Sequence, residues 1–116
     1  MIISGTTGNL RARKYGNIRT THEGTEFASK REAARYMQLK LLERNHEVRN
    51  IRLQVPYQIE VLGTKVCRYY ADFVYEELRK GIWSEVVEDC KGFRTPTYKL
   101  KKKLVKACFG IEIRES

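Results

Sequence analysis

Cysteine is scarce in this chain of 116 residues: Cys67, Cys90 and Cys108 are the whole set, and no two form a CxxC pair. Their odd number argues against a disulfide framework and fits a reduced, cytosolic setting. Histidine is scarcer. His22 falls in an expected turn and His46 at an expected helix end, neither with a cysteine or acid at ligand spacing, so no zinc site is expected. No apolar run approaches the roughly 20 residues of a membrane span, and Met1-Ile2-Ile3-Ser4 is too short for a secretory signal. Acids, finally, are missing from two stretches. Residues 1–19 carry Arg11, Arg13, Lys14 and Arg19 without one, and residues 91–106 carry Lys91, Arg94, Lys99, Lys101, Lys102, Lys103 and Lys106 without one.

What is present fits a single small domain. Hydrophobic residues at 41% allow a core, but 116 residues leave little room for an enclosed substrate chamber. A surface groove or a site shared between subunits suits this size. The net charge is +9, with pI ≈ 9.6, yet the central residues 20–90 hold 11 bases against 12 acids. The basicity therefore sits in an arm and one late segment. Two such blocks resemble footprints on phosphates, because each neutralised phosphate releases counterions. The plainer alternative is a flexible tail plus a solvated helix face.

Residues 1–17, with Gly5, Gly8 and Gly16 among small and basic residues, read as a flexible basic arm, leaving 18–116 as the folded domain. Asn17 to Phe27 reads as a hairpin. Ser29-Lys30-Arg31-Glu32 is a capping box opening a helix to about Glu47, with Ala33, Met37 and Leu41 on one apolar stripe and Ala34, Tyr36, Leu39 and Leu42 widening it. Strands follow at Ile51–Val61, Val66–Leu78 and Ile82–Cys90, separated by turns at Leu62-Gly63-Thr64 and Arg79-Lys80-Gly81. Thr95-Pro96 opens a second helix that stops at Gly110, and Ile111-Glu112-Ile113 is a last short strand. The expected fold is α/β, in the order α-β-β-β-α-β.

The chemistry concentrates on the second and third long strands. Asp72 interrupts the apolar run Tyr69-Tyr70-Ala71-Asp72-Phe73-Val74, where an acid is costly to bury unless paired or bound to a cation. In Glu88-Asp89-Cys90-Lys91, strand alternation turns Asp89 and Lys91 one way and Glu88 and Cys90 the other. Folding back about the Arg79-Lys80-Gly81 turn brings Asp72 roughly opposite Asp89. Two facing carboxylates repel, and a hard divalent cation such as Mg²⁺ offsets that repulsion. The bland alternative is an ion pair of Lys91 with Asp72 or Asp89 at a sheet edge. Trp83 lies down the same strand face, more in the manner of a core or interface residue. Tyr98 with Lys99, Lys102 and Lys106, the three lysines on one helical face, can line a groove for a phosphate backbone.

Asp72, Asp89-Cys90-Lys91 and Glu32, in this element order, resemble the PD-(D/E)XK nuclease superfamily. Three stretches, Phe27–Ala33, Leu53–Pro56 and Asp89–Phe93, resemble a family of small phage and prophage proteins of that fold. The likeness extends over nearly everything from Lys14 to Glu112. One departure is Ala71, where the signature has Pro and members vary. The resemblance implies a restriction-endonuclease-like core, a mixed central sheet flanked by helices.

It further implies a Mg²⁺- or Mn²⁺-dependent phosphodiesterase. Asp72 and Asp89 would be the main metal ligands, with the Cys90 carbonyl a further one. Lys91 would position or activate the water, and Glu32 would reach the metal from the first helix. Glu32 is equally explained by its capping box, and Gln54 either contacts the site or ends the strand ladder. DNA is the implied partner, contacted through Arg11, Arg13, Lys14, Arg94, Tyr98, Lys99, Lys102 and Lys106. Branched DNA is the expected form, cut in the manner of a Holliday-junction resolvase in the cytoplasm of a bacterial host. A homodimer is expected because so small a domain covers little duplex. The alternatives are a duplex-nicking or restriction-like nuclease, and a nucleic-acid binder without catalysis.

Overall fold

A computed structural model describes residues 20–22 and 25–116. The arm at 1–17, with Arg11, Arg13 and Lys14, lies outside the described residues. A short antiparallel pair, β1 (Thr20–His22) and β2 (Thr25–Phe27), leads into helix α1 (Lys30–Arg44). Ser29 caps that helix in an extended conformation, its hydroxyl accepting from the Glu32 backbone N–H at 3.2 Å. The helix ends three residues before the expected Glu47, in a tight exit where the N–H of Glu47 reaches back to the Leu42 carbonyl.

The apolar face of α1 packs through Ala33 and the widening Tyr36, Leu39 and Leu42, whereas the expected Met37 and Leu41 do not pack. Ala33 and Leu39 are buried and Tyr36 and Leu42 pack beside them, while Met37 and Leu41 face solvent at 47% and 56% exposure. The physical reason is electrostatic. Arg35, two residues after Ala33, is drawn onto the fully buried Glu88 with contacts of 2.6 and 3.0 Å, and this turns the 32–35–39–42 line toward the sheet.

The sheet has the order β3 (Val48–Val61), β4 (Thr64–Arg79), β5 (Ile82–Asp89), β6 (Arg114–Glu115). The first two pairings are antiparallel and the last parallel, which makes the sheet mixed. Leu62-Gly63 and Lys80-Gly81 close the two hairpins with both central residues at positive φ, the geometry that matches strand twist. Pro56 sits on β3, an edge strand, where its missing N–H interrupts no second ladder. Helix α2 (Pro96–Phe109) starts at Thr95, whose hydroxyl accepts from the Tyr98 N–H at 3.0 Å, and stops at Gly110 in the left-handed region. The last strand is not 111–113 but Arg114–Glu115. Ladder pairing begins only where the chain draws level with the end of β5, at Glu88↔Arg114.

Two cores result, one on each side of the sheet. Phe27, Ala33, Leu39, Val48, Phe73, Tyr75, Val86 and Cys90 pack under α1, and Ile59, Tyr69, Ala71, Val74, Val87, Tyr98, Val105 and Ile113 pack under α2. Strand alternation breaks at the Arg49–Arg52 register shift, where Val48 and Ile51 both serve the first core, and again farther along β3. Leu53 and Phe73 serve the first core, whereas Val55 and Ala71 serve the second, although each differs by two positions and should share a face. Between them lie Gln54, at φ +50, and Asp72, opposite each other in the register. The pleat inverts there, so an acid stands at a crease in the sheet. The architecture is a mixed α/β fold with a four-stranded mixed sheet between two helices. No helix among the described residues is long and apolar enough to cross a membrane.

Candidate active site

The β4–β5 register runs through Phe73↔Glu88, which makes Asp72 and Asp89 the next facing positions. The expected juxtaposition of these two acids is therefore present. At the crease, Asp72 accepts from Gln54 Nε2 at 2.9 Å through Oδ1 and from the Cys90 backbone N–H at 2.9 Å through Oδ2. Gln54 thus contacts the site rather than merely ending a ladder. Asp89 is fully buried. Its Oδ2 accepts from the Tyr69 hydroxyl at 2.6 Å, but its Oδ1 accepts no hydrogen bond. Lys91 Nζ lies 3.3 Å from that Oδ1, an ion pair without hydrogen-bond geometry.

Burial, then the neighbouring Asp72 carboxylate, pushes the Asp89 carboxyl up to about 8, with Lys91 and Tyr69 working against the rise. Glu32 is pushed up to about 7, first by burial and next by the charge of Asp89, while Lys91 opposes. Its backbone serves the helix cap and its carboxylate feels the site, so the two readings of Glu32 are compatible. Lys91 is held from above by the Tyr98 ring, its ammonium 4.6 Å from the ring centroid. Cys90 is buried on the α1 side, and burial pushes its thiol up to about 12. The thiol itself is therefore inert at neutral pH.

These residues present hard oxygen donors, one of them an orphaned buried oxygen, beside a single ammonium. That donor set suits Mg²⁺ or Mn²⁺ and not a soft metal. Among the described residues no three His, Cys, Asp or Glu side chains already stand at mutual ligand spacing. The fit is therefore one of chemistry and repulsion, with Gln54 and Tyr69 each fixing one carboxyl of the facing pair.

Beside this acidic end lies a groove of about 560 Å³ between α2 and the returning C-terminal segment. Arg94, Tyr98, Lys99, Lys102, Lys103 and Lys106 line it, together with Ile111, Glu112 and Glu115. The structure thus gathers five residues expected from the α2 region into one cleft, together with the neighbouring Lys103. The acids were not foreseen. Glu115 pairs with Arg94 at 2.7 Å and Lys102 at 3.1 Å and accepts from the Tyr98 hydroxyl at 2.8 Å; Glu112 pairs with Lys106 at 2.7 Å.

A third buried acid, Glu88, was read in the sequence only as facing away from Asp89 and Lys91. Glu88 is fully buried on the opposite face, where it accepts from Arg35, from the Tyr75 hydroxyl at 2.5 Å and from the Ser116 hydroxyl at 2.6 Å. Burial opposes ionisation, but these donors hold its carboxyl below the ordinary range. Arg114 extends the cluster to Glu77 at 3.0 and 3.1 Å. Val86-Val87-Glu88 carries the same signal as Asp72, an acid in an apolar run. Trp83 belongs to none of this; Arg49 lies over its ring at 4.0 Å, at the far end of β5.

A family model described as Protein of unknown function (DUF1064) matches residues 12–114, and the chain belongs to that family. No curated protein and no solved structure matches it.

Proposed function

We propose that this member of the DUF1064 family is a divalent-cation-dependent DNA endonuclease with a restriction-endonuclease-like core, acting on branched DNA as a two-fold dimer. The observation that carries the reading is the meeting of Asp72, Glu32 and a fully buried Asp89, one oxygen of which accepts no hydrogen bond, with Lys91 at a single end of the sheet. Pure binding of a polyanion has no use for clustered acids beside the phosphates. The resemblance to small phage proteins favours branched DNA, and a dimer sets two sites against two strands.

Asp72 and Asp89 hold the cation in this reading, with Glu32 and the Cys90 carbonyl as further oxygen donors. When bound, Mg²⁺ supplies Lewis acidity and a bound water of lowered pKa. Gln54 and Tyr69 orient the two carboxylates, each through one oxygen. Lys91, steadied on the Tyr98 ring, offers its ammonium to a phosphate oxygen and to the charge that builds on it during attack. The groove lysines receive the flanking backbone.

A labelled four-way junction with Mg²⁺ should give paired symmetric cuts. Asp72→Asn and Lys91→Ala should abolish cutting and retain junction binding. Equal cutting of linear duplex would assign a nicking or restriction-like activity instead, and binding without cutting in Mg²⁺ or Mn²⁺ would assign a silent binder.

A further inference from the structure

Leu62 stands at the tip of the β3–β4 hairpin and is fully exposed, at 101%. Its backbone lies in the left-handed region at φ +49, followed by Gly63 at φ +82. A branched apolar residue is disfavoured there twice over. The left-handed conformation crowds its Cβ, and water surrounds the whole side chain. Asn or Asp ordinarily fills this position of a two-residue turn. The chain builds the same turn again at Lys80-Gly81, with φ +51 and +78, and there the first residue is a solvated lysine. The turn itself does not ask for leucine. Val61 and Val66, exposed at 46% and 51%, flank the tip and widen the apolar surface.

The hairpin is tied to the basic helix. Lys101 Nζ donates to the Arg68 carbonyl at 3.0 Å, Cys108 Sγ lies 3.8 Å from the Glu60 carbonyl, and the Phe109 ring packs edge-on to Tyr57 at 5.6 Å. Helix α2 therefore runs from Tyr98, beside Lys91, to the root of the hairpin tip. Lys99 and Lys103 on this helix, outside the ion pairs that hold Lys102 and Lys106, and exposed Lys65 and Arg68 on the hairpin lay a cationic track over both elements. An apolar point at the end of a cationic track is complementary to a nucleic acid: phosphates along the track, a base step at the point. One leucine and two half-exposed valines fall far short of the roughly 800 Å² per partner that a stable protein interface needs.

We propose that the Leu62 tip is an apolar wedge that enters a base step of bound DNA and unstacks it, a step that rests on the nuclease reading only in taking DNA as the ligand. From Asp72 to the tip is at most eight or nine strand residues, roughly 27–30 Å. At about 3.4 Å per base step the wedge therefore falls no more than about nine steps from the phosphodiester at the site.

The test uses the full chain with four-way junctions and linear duplexes carrying 2-aminopurine at successive positions, in Ca²⁺ so that binding is read apart from cutting. The wild-type protein should raise 2-aminopurine fluorescence several-fold at one position, within that distance of the cut mapped in Mg²⁺ where cutting occurs. Leu62→Asn suits the turn and should fold; it should lose the rise and bind about tenfold more weakly, as expected for one leucine side chain losing its buried contact. Leu62→Met, which keeps an apolar tip, should restore the rise. An equal rise with Leu62→Asn, or binding by the wild type with no rise at any position, would overturn the wedge. A dimer in sedimentation that Leu62→Asn dissociates, without any fluorescence change, would overturn it in favour of self-association. Unstacking without cutting would leave the wedge standing and remove the nuclease.

Discussion

Asp89 is the residue on which opposing forces are most finely set. Its folded carboxyl sits near 8 against an ordinary 3.8, and that of Glu32 near 7 against 4.5. Between those limits the folded chain binds more protons than the unfolded one, so stability falls as pH rises from about 4 through 8. Thermal melts of the metal-free protein should accordingly show a lower midpoint at pH 8 than at pH 5. Asp89→Asn should flatten that difference and raise the pH 8 midpoint, its side-chain oxygen still accepting from Tyr69, while cutting is lost. Mg²⁺ should recover the wild-type midpoint at pH 8 and have little effect at pH 5, where the carboxyls are protonated. A wild-type midpoint that rises with pH would contradict this account of the site.

Among the elements, α1 shows how a buried charge fixes packing. Glu88 has no exposure and Arg35 covers it from the helix, so removing Arg35 leaves an uncompensated carboxylate in the core. Arg35→Ala should cost about 3–5 kcal/mol in urea denaturation. Glu88→Gln in the same chain should recover part of that loss, because the two positions act as one unit. This pair also marks where sequence reading stopped. Element order, the Ser29 cap, the Thr95-Pro96 start and the two glycine turns were legible because each depends on a few adjacent residues. Asp72 opposite Asp89 was legible because a short turn sets the register. The rotation of α1 was not, since apolar spacing favoured Met37 and Leu41 and only the partner across 53 positions draws Arg35 inward. Nor was the inversion at Gln54, a residue type that does not advertise a left-handed backbone.

Across the whole molecule, the charge pattern read from composition is modified by the fold. The returning C-terminal segment brings Glu112 and Glu115 into the basic groove, where they pair with Arg94, Lys102 and Lys106 and offset two of those three charges. Among the described residues Lys99 and Lys103 carry no such ion pair. Substituting either by alanine should lower the slope of log K against log salt by about one for DNA binding. Glu115→Gln should act the other way, tightening binding and steepening the slope by freeing Arg94 and Lys102. A salt titration of the three variants against the wild type measures both. A groove that did not touch DNA would leave all four slopes alike.

The inverted pleat at Gln54 and Asp72 divides the sheet into two plates that meet along a fold line. Leu53 and Phe73 lie on one side of that line with the first core; Val55, Ala71 and the strands leading to the Leu62 tip lie on the other. Asp72 is the rivet between them, pinned by Gln54 on its own line and by the Cys90 amide across it. The acid that faces Asp89 thus stands where the sheet changes face, so both cores together set where its carboxylate lies.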